Sequence, residues 1–143
     1  MELSRLLYER IAAAHRQLGA PVEEYDEFMA GDGTWTFHAV GSNGGIGIHA
    51  RPEKDGDSMV VVMPTRLSYG ATMRAMQVIR DHLATGRKLY TMAWKTHVMA
   101  ININLRIGGE VLGFDDDGFY HFCHSSSSLR SNHRGQKEHA DPA

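Results

Sequence analysis

Residues 63–76, MPTRLSYGATMRAM, gather a proline, an arginine, several hydroxyl side chains and a glycine where an apolar run gives way to a helical pattern. A helix that starts here offers unsatisfied backbone N–H groups and the positive end of its dipole, the chemistry that holds a diphosphate. Gly70 and Ala71 leave room for a ligand to approach the backbone, Ser68, Tyr69 and Thr72 add hydroxyls, and Arg66 can reach a phosphate. The same residues also make an ordinary strand-to-helix turn, with Ser68 as cap and Tyr69 packed on the sheet. On this segment alone both readings stay open.

Other chemistry-bearing residues are more dispersed. His97 lies near the end of an expected strand, where a side chain with an ordinary pKa near 6.5 could serve as a base or simply face solvent. His121 and Cys123 share one face of another expected strand, but two ligands do not make a structural zinc site, so no metal is expected. Glu53 and Asp55 read as solvated turn residues, and Asp115–Asp117 as a polar hairpin turn that could also attract a cationic amine. Tyr69 and Tyr90 carry acidic protons but stand where packing tyrosines usually do. The methionines recur on elements that should face one another and read as core.

Periodicity supplies the elements that must position these groups. Leu3, Leu6, Leu7, Ile11, Ala14 and Leu18 mark an amphipathic helix ended by Gly19 and Pro21, and a short helical piece follows over Val22–Met29. Residues 34–40, 45–51 and 58–63 read as three strands of an antiparallel meander, separated by GSNGG and PEKDGD. Met73, Met76, Ile79 and Leu83 mark the apolar face of the next helix, and KLYTMAW at 88–94 is a strand after it, so the two flanking strands are parallel with a right-handed crossover. Residues 96–107 form a helix with Thr96 as its cap, and 110–114 and 119–123 a hairpin around DDDG. From His124 onward the hydrophobicity collapses, which predicts a disordered tail over 124–143.

The chain of 143 residues suffices for one domain, here 1–123, of α/β class with a mixed sheet. A net charge of −2 gives no reason to expect nucleic acid or an anionic membrane as partner. No apolar run approaches a membrane span, and the charged N-terminus lacks the apolar stretch of a signal peptide. One cysteine, Cys123, fits a reducing compartment, and the cytoplasm is the expected location.

This order of elements resembles the GNAT acyltransferase superfamily, whose members carry acetyl groups on coenzyme A; the likeness runs from about Thr34 to Phe122. In the first of two matching segments, 60–86, Gly70 falls on the family's glycine, while Leu67 takes the usual basic position, with Arg66 one place early, and Thr72 takes a small-residue position. In the second, 97–113, Ala100, Arg106, Ile107 and Gly108 match. His97 replaces the usual asparagine, Asn104 stands where many members carry a tyrosine acid, and Gly109 replaces a phenylalanine.

The resemblance implies a single-domain GNAT-like fold that binds acetyl-CoA through Met63, Thr65, Arg66, Ser68, Tyr69, Gly70, Ala71 and Thr72. Backbone groups near Met63 and Thr65 would face the thioester, and His97 and Asn104 would flank the chemistry. The implied reaction is direct attack by an amine, on a small molecule or a protein, within a ternary complex. The alternative is a GNAT-like scaffold without catalysis that serves binding or assembly, in a phage-type structural or host-modulating role among others. The edge of the final hairpin would permit a homo-oligomer.

Overall fold

Apolar side chains at alternate strand positions sort the chain into a six-stranded sheet with helices on both faces. The computed structural model describes residues 1–127, so most of the expected tail lies outside the described residues. In chain order the elements are α1 (Leu3–Leu18), α2 (Tyr25–Met29), β1 (Trp35–Val40), β2 (Gly44–His49), β3 (Gly56–Val62), α3 (Tyr69–Leu83), β4 (Lys88–Trp94), α4 (Val98–Arg106), β5 (Glu110–Phe114) and β6 (Phe119–His124). The strand order is β1-β2-β3-β4-β6-β5, antiparallel throughout except for the β3–β4 pair that α3 connects. This is the α/β mixed sheet, meander, crossover and closing hairpin that the periodicity predicts.

The principal core lies between the sheet and α3. Val40, Ile46, Ile48, Met59 and Leu89 meet Ala71, Ala75, Val78, Ile79 and Leu83 there. On the opposite face, β2 has glycines where β-branched residues would be usual. An added Cβ at Gly45 would stand 3.1 Å from Leu7 and 3.3 Å from Leu3, so this bare position lets α1 lie close on the sheet. Aromatic rings continue that layer: Trp35 stacks on His49, Phe37 and Phe28, and Tyr8 meets Tyr25 edge-on.

Three expectations need correction. α4 starts one residue later than expected, with His97 rather than Thr96 in the cap position and no side-chain cap bond. The second helix is a single turn and a half, Tyr25–Met29, rather than the whole of 22–29. The ordered chain also runs past 123. His124 is the last residue of β6 and only 1% exposed, and the Ser126 hydroxyl donates to the Leu83 carbonyl at 2.9 Å. A serine run masked the fact that the strand's last ring is buried.

Candidate active site

β3 and β4 pair in register only at Gly56↔Lys88, Asp57↔Leu89 and Ser58↔Tyr90. Both strands then run on, to Val62 and Trp94, with no ladder pairing between them. The sheet therefore splits toward the C-terminal ends of its two central parallel strands, which is where ligands enter open α/β sheets. Parity places Met59 and Val61 of β3, with Thr91 and Ala93 of β4, on the α3–α4 side of the split. Val60 and Val62, with Met92 and Trp94, lie on the α1 side.

The loop 63–68 leads from this open end into α3. Ser68 is the N-cap: its Oγ accepts the Ala71 N–H at 3.1 Å, and its carbonyl accepts the Thr72 hydroxyl at 3.1 Å. The Ser68 and Thr72 hydroxyls are thus used by the helix itself, while the N–H groups of Tyr69 and Gly70, in the first turn, have no intrahelical acceptor. Arg66, Leu67, Tyr69 and Gly70 are exposed, Tyr69 by 81%, so Tyr69 does not pack on the sheet. A Cβ at Gly70 would meet nothing closer than the Ser68 Oγ at 4.0 Å. Glycine within a helix costs about 0.5–1 kcal/mol relative to alanine, and packing does not require it here. From Gly70 the exposed face of α3 continues over Met73, Arg74, Gln77, Arg80 and Asp81, two arginines beside one aspartate.

Two of the backbone groups near the expected thioester position have partners within the fold. Arg10 of α1 donates through Nη1 to the carbonyls of Met63 at 2.7 Å and Asn43 at 2.8 Å. Asn43 in turn accepts the Thr65 N–H at 2.9 Å and donates to the Thr65 hydroxyl at 2.6 Å. Sequence reasoning missed both residues, since an arginine on an amphipathic helix and an asparagine in a GSNGG turn carry no signal of a partner 22 or 53 positions away.

The two residues expected to flank the chemistry part company. His97 stands half-buried just beyond β4, near His15 of α1, and burial holds both imidazoles below their ordinary range, with each other's charge adding to the effect at His15. Both therefore favour the neutral, proton-accepting form. Asn104 is buried in the α4–sheet layer. Its Oδ1 accepts the Thr91 hydroxyl at 2.6 Å and lies 3.0 Å from His124 Nε2, and its Nδ2 donates to the Ala100 carbonyl at 2.9 Å. That amide ties α4 to β4 and β6, on the α3–α4 side of the sheet. The phenylalanine expected at 109 is absent for a related reason: a Cβ there would stand 2.6 Å from the His124 ring. Tyr90 is the last paired residue of β4, and its hydroxyl is turned back to donate to Asp55 at 2.7 Å.

The paired end carries a charge cluster. Asp57, 4% exposed, accepts from Arg87 Nε at 3.1 Å and Nη2 at 2.8 Å and from the Arg51 N–H at 2.9 Å, with His82 Nε2 at 2.8 Å. These contacts, the Arg87 pair foremost, hold the Asp57 carboxyl well below the usual carboxylate range. Among the described residues no three His, Cys, Asp or Glu side chains gather as a metal-binding group, and no helix is long and apolar enough to cross a membrane.

No family model matches the chain, and no curated protein matches its sequence. Among solved structures it is similar to apo FdhC, described as a nucleotide-linked sugar GNAT, with a TM-score of 0.52 and 15% identity over 66% of this chain and 55% of that one. It is also similar to a Bordetella pertussis protein assigned to the GnaT acetyltransferase family, with a TM-score of 0.43 and 13% identity over 58% and 56% of the two chains. The chain thus spans about half the length of either solved structure. At such identity the likeness is one of architecture, and together with the split parallel pair it establishes that this chain has the GNAT fold.

Proposed function

We propose that this chain binds acetyl-CoA with its acyl arm in the split between β3 and β4 and transfers the acetyl group to an amine by direct attack. The observation that carries the reading is the coincidence at one place of the split, which begins after Ser58↔Tyr90, and the α3 N-terminus with open space over Gly70. The free N–H groups of the first helical turn and the exposed Arg66 would hold the diphosphate, and Arg74 on the exposed face of α3 offers further positive charge to an anionic ligand. Bound there, acetyl-CoA supplies an activated acyl group as its thioester. The amine must arrive without its proton, and the neutral imidazoles on the α1 side, His97 among them, can take that proton.

A specific observation favours a second reading, a GNAT-fold scaffold without catalysis. The Met63 carbonyl and Thr65 N–H, which would otherwise meet the acyl arm, are bound to Arg10 and Asn43, and Leu67 is 61% exposed where the family carries a basic residue.

Calorimetric titration of acetyl-CoA and free CoA into the purified chain separates the two. Micromolar binding that Gly70→Glu abolishes is the expected result, followed by CoA release with a panel of amines. No heat up to millimolar cofactor would sink the acyltransferase reading and leave the scaffold.

A further inference from the structure

The α1 side of the sheet is only half covered. α1 and α2 lie over β1–β3, while Met92 of β4 is 57% exposed on that side. Register pairs Trp94 with Phe119 and Met92 with His121 on this side; the first pair is buried beneath Leu18 and Ala20 at the end of α1, so the Met92–His121 pair is the open one. His121 therefore stands one strand spacing, about 4.8 Å, from β4, beside the stretch of β4 that borders the split.

Its ring is held by a fixed carboxylate. Asp115 Oδ1 accepts the backbone N–H groups of Asp117, Gly118 and Phe119 at 2.9, 2.9 and 3.0 Å, and its Oδ2 lies 2.7 Å from His121 Nε2. The turn that carries Asp115 is itself seated on the end of β4. The Lys95 N–H donates to the Gly118 carbonyl at 3.0 Å, and Gly118 lies against the Trp94 ring with no space for a Cβ. Because Nε2–H donates to the carboxylate, the Nδ1 lone pair is the basic position. A carboxylate that fixes the tautomer and orientation of an imidazole is how proton acceptors are prepared on unrelated folds. Among the described residues no carboxylate is bonded to His97, and its side chain makes no cap bond.

We propose that His121, oriented by Asp115, accepts the proton of the acceptor amine, which therefore reaches the split over the exposed Met92 on the α1 side of β4. The assignment rests on the acyltransferase reading above. A neutral primary amine attacks the thioester carbon; the carbon–nitrogen bond forms as the carbon–sulfur bond breaks. The surplus proton on nitrogen passes to His121 Nδ1, directly or through one water, and from the imidazolium through solvent to the departing thiolate. Base and charge are restored. His121 is the catalytic residue in this scheme and Asp115 a positioning residue.

The test compares His121→Asn, Asp115→Asn and His97→Asn in the full chain. Asp115→Asn keeps an oxygen for the three turn N–H groups but presents an N–H to His121 Nε2, which forces the ring proton onto Nδ1. Long-range proton–nitrogen spectra should show Nε2–H for the neutral ring in the unaltered chain and Nδ1–H in Asp115→Asn. With acetyl-CoA and a panel including butylamine and spermidine, both His121→Asn and Asp115→Asn should lower kcat about 100-fold, with acetyl-CoA affinity unchanged. If Asp115→Asn does not fold, His121→Asn alone decides the rate question. The assignment is overturned if His121→Asn keeps kcat within about threefold, if His97→Asn alone takes the loss, if the ring is already Nδ1–H in the unaltered chain, or if acetyl-CoA binds and no amine is acetylated. Absence of acetyl-CoA binding is a different failure, since it removes the acyltransferase reading itself.

Discussion

The parallel pair β3–β4 has two unlike ends. At the N-terminal end three residue pairs are in register, and Asp57 locks Arg87, His82 and the Arg51 backbone around a buried carboxylate. At the C-terminal end the strands part, and the loop that leaves β3 is tied sideways to Arg10 and Asn43 rather than across to β4. Strand pairing lost at the opening is offset by charge-assisted hydrogen bonds at the closed end, each stronger than a neutral one. The contrast implies a division of labour. Changes at the closed end should act on stability, and changes at the open end on binding.

The largest effect expected is at the closed end. Asp57→Asn leaves Arg87 and His82 facing a neutral amide; with Arg87 a third exposed, the lost charge-assisted bonds cost about 1–3 kcal/mol, read by urea unfolding at pH 7. The sign of the pH dependence follows from the depressed carboxyl, whose stabilisation is fully present above the ordinary carboxylate range and lost progressively as pH falls below it toward the depressed folded value. The gap between the unaltered chain and Asp57→Asn should therefore narrow below about pH 4. An equal loss of acetyl-CoA affinity at full folding would contradict the division between the ends.

His124 sharpens the same end. Opposite Leu89 and buried with Thr91 and Asn104, it has its pKa pushed down by burial to about 4. The unfolded chain takes up this proton near pH 6.5 and the folded chain does not, so stability should fall by about 3 kcal/mol between pH 6.5 and pH 4 and level off below. Urea midpoints measured across that range should show the slope in the unaltered chain and a much flatter one in His124→Gln.

These two residues also show what the sequence could and could not convey. Element type and order were legible because each helix and strand carries its own apolar period, and the β3–α3–β4 crossover needs only that order. The closed end was not. Asp57 sits in a polar Glu-Lys-Asp-Gly-Asp run that reads as solvated turn, and its partners lie 25 and 30 positions away. His124 is followed by four serines and reads as the start of a tail, although its ring fills the space over Gly109. For the open end, the capping role of Ser68 was visible from residue types, whereas the point at which pairing stops is a property of two strands at once. Neither strand's periodicity contains it. His121 was visible only as half of an incomplete metal pair, because the turn that aims Asp115 at it is a matter of backbone geometry.

At the open end, Gly70→Glu should cost acetyl-CoA at least about 100-fold in affinity by placing a carboxylate where the diphosphate would lie. Stability should not fall, because the position is open and a carboxylate is favourable in the first turn of a helix. Gly70→Ala is the companion measurement: about 0.5–1 kcal/mol of added stability with a smaller loss of binding. A Gly70→Glu chain that is fully folded and still binds would place the cofactor elsewhere.

Leu67→Arg is the smallest and most discriminating change. Leu67 is 61% exposed in the loop before α3, so its replacement should leave stability within about 0.5 kcal/mol. If the loop faces a diphosphate, a new guanidinium beside Arg66 adds an exposed charge pair worth up to about 1 kcal/mol, a gain of about fivefold in affinity for CoA. The gain should shrink as salt shortens the range of the interaction, and it should appear for free CoA as well as acetyl-CoA because the contact is to phosphate and not to the acyl group. An unchanged affinity would mean that the loop points its side chains away from any bound phosphate. The exposed leucine would then be better explained as part of a surface for a protein, and the open end of the sheet would belong to the scaffold reading.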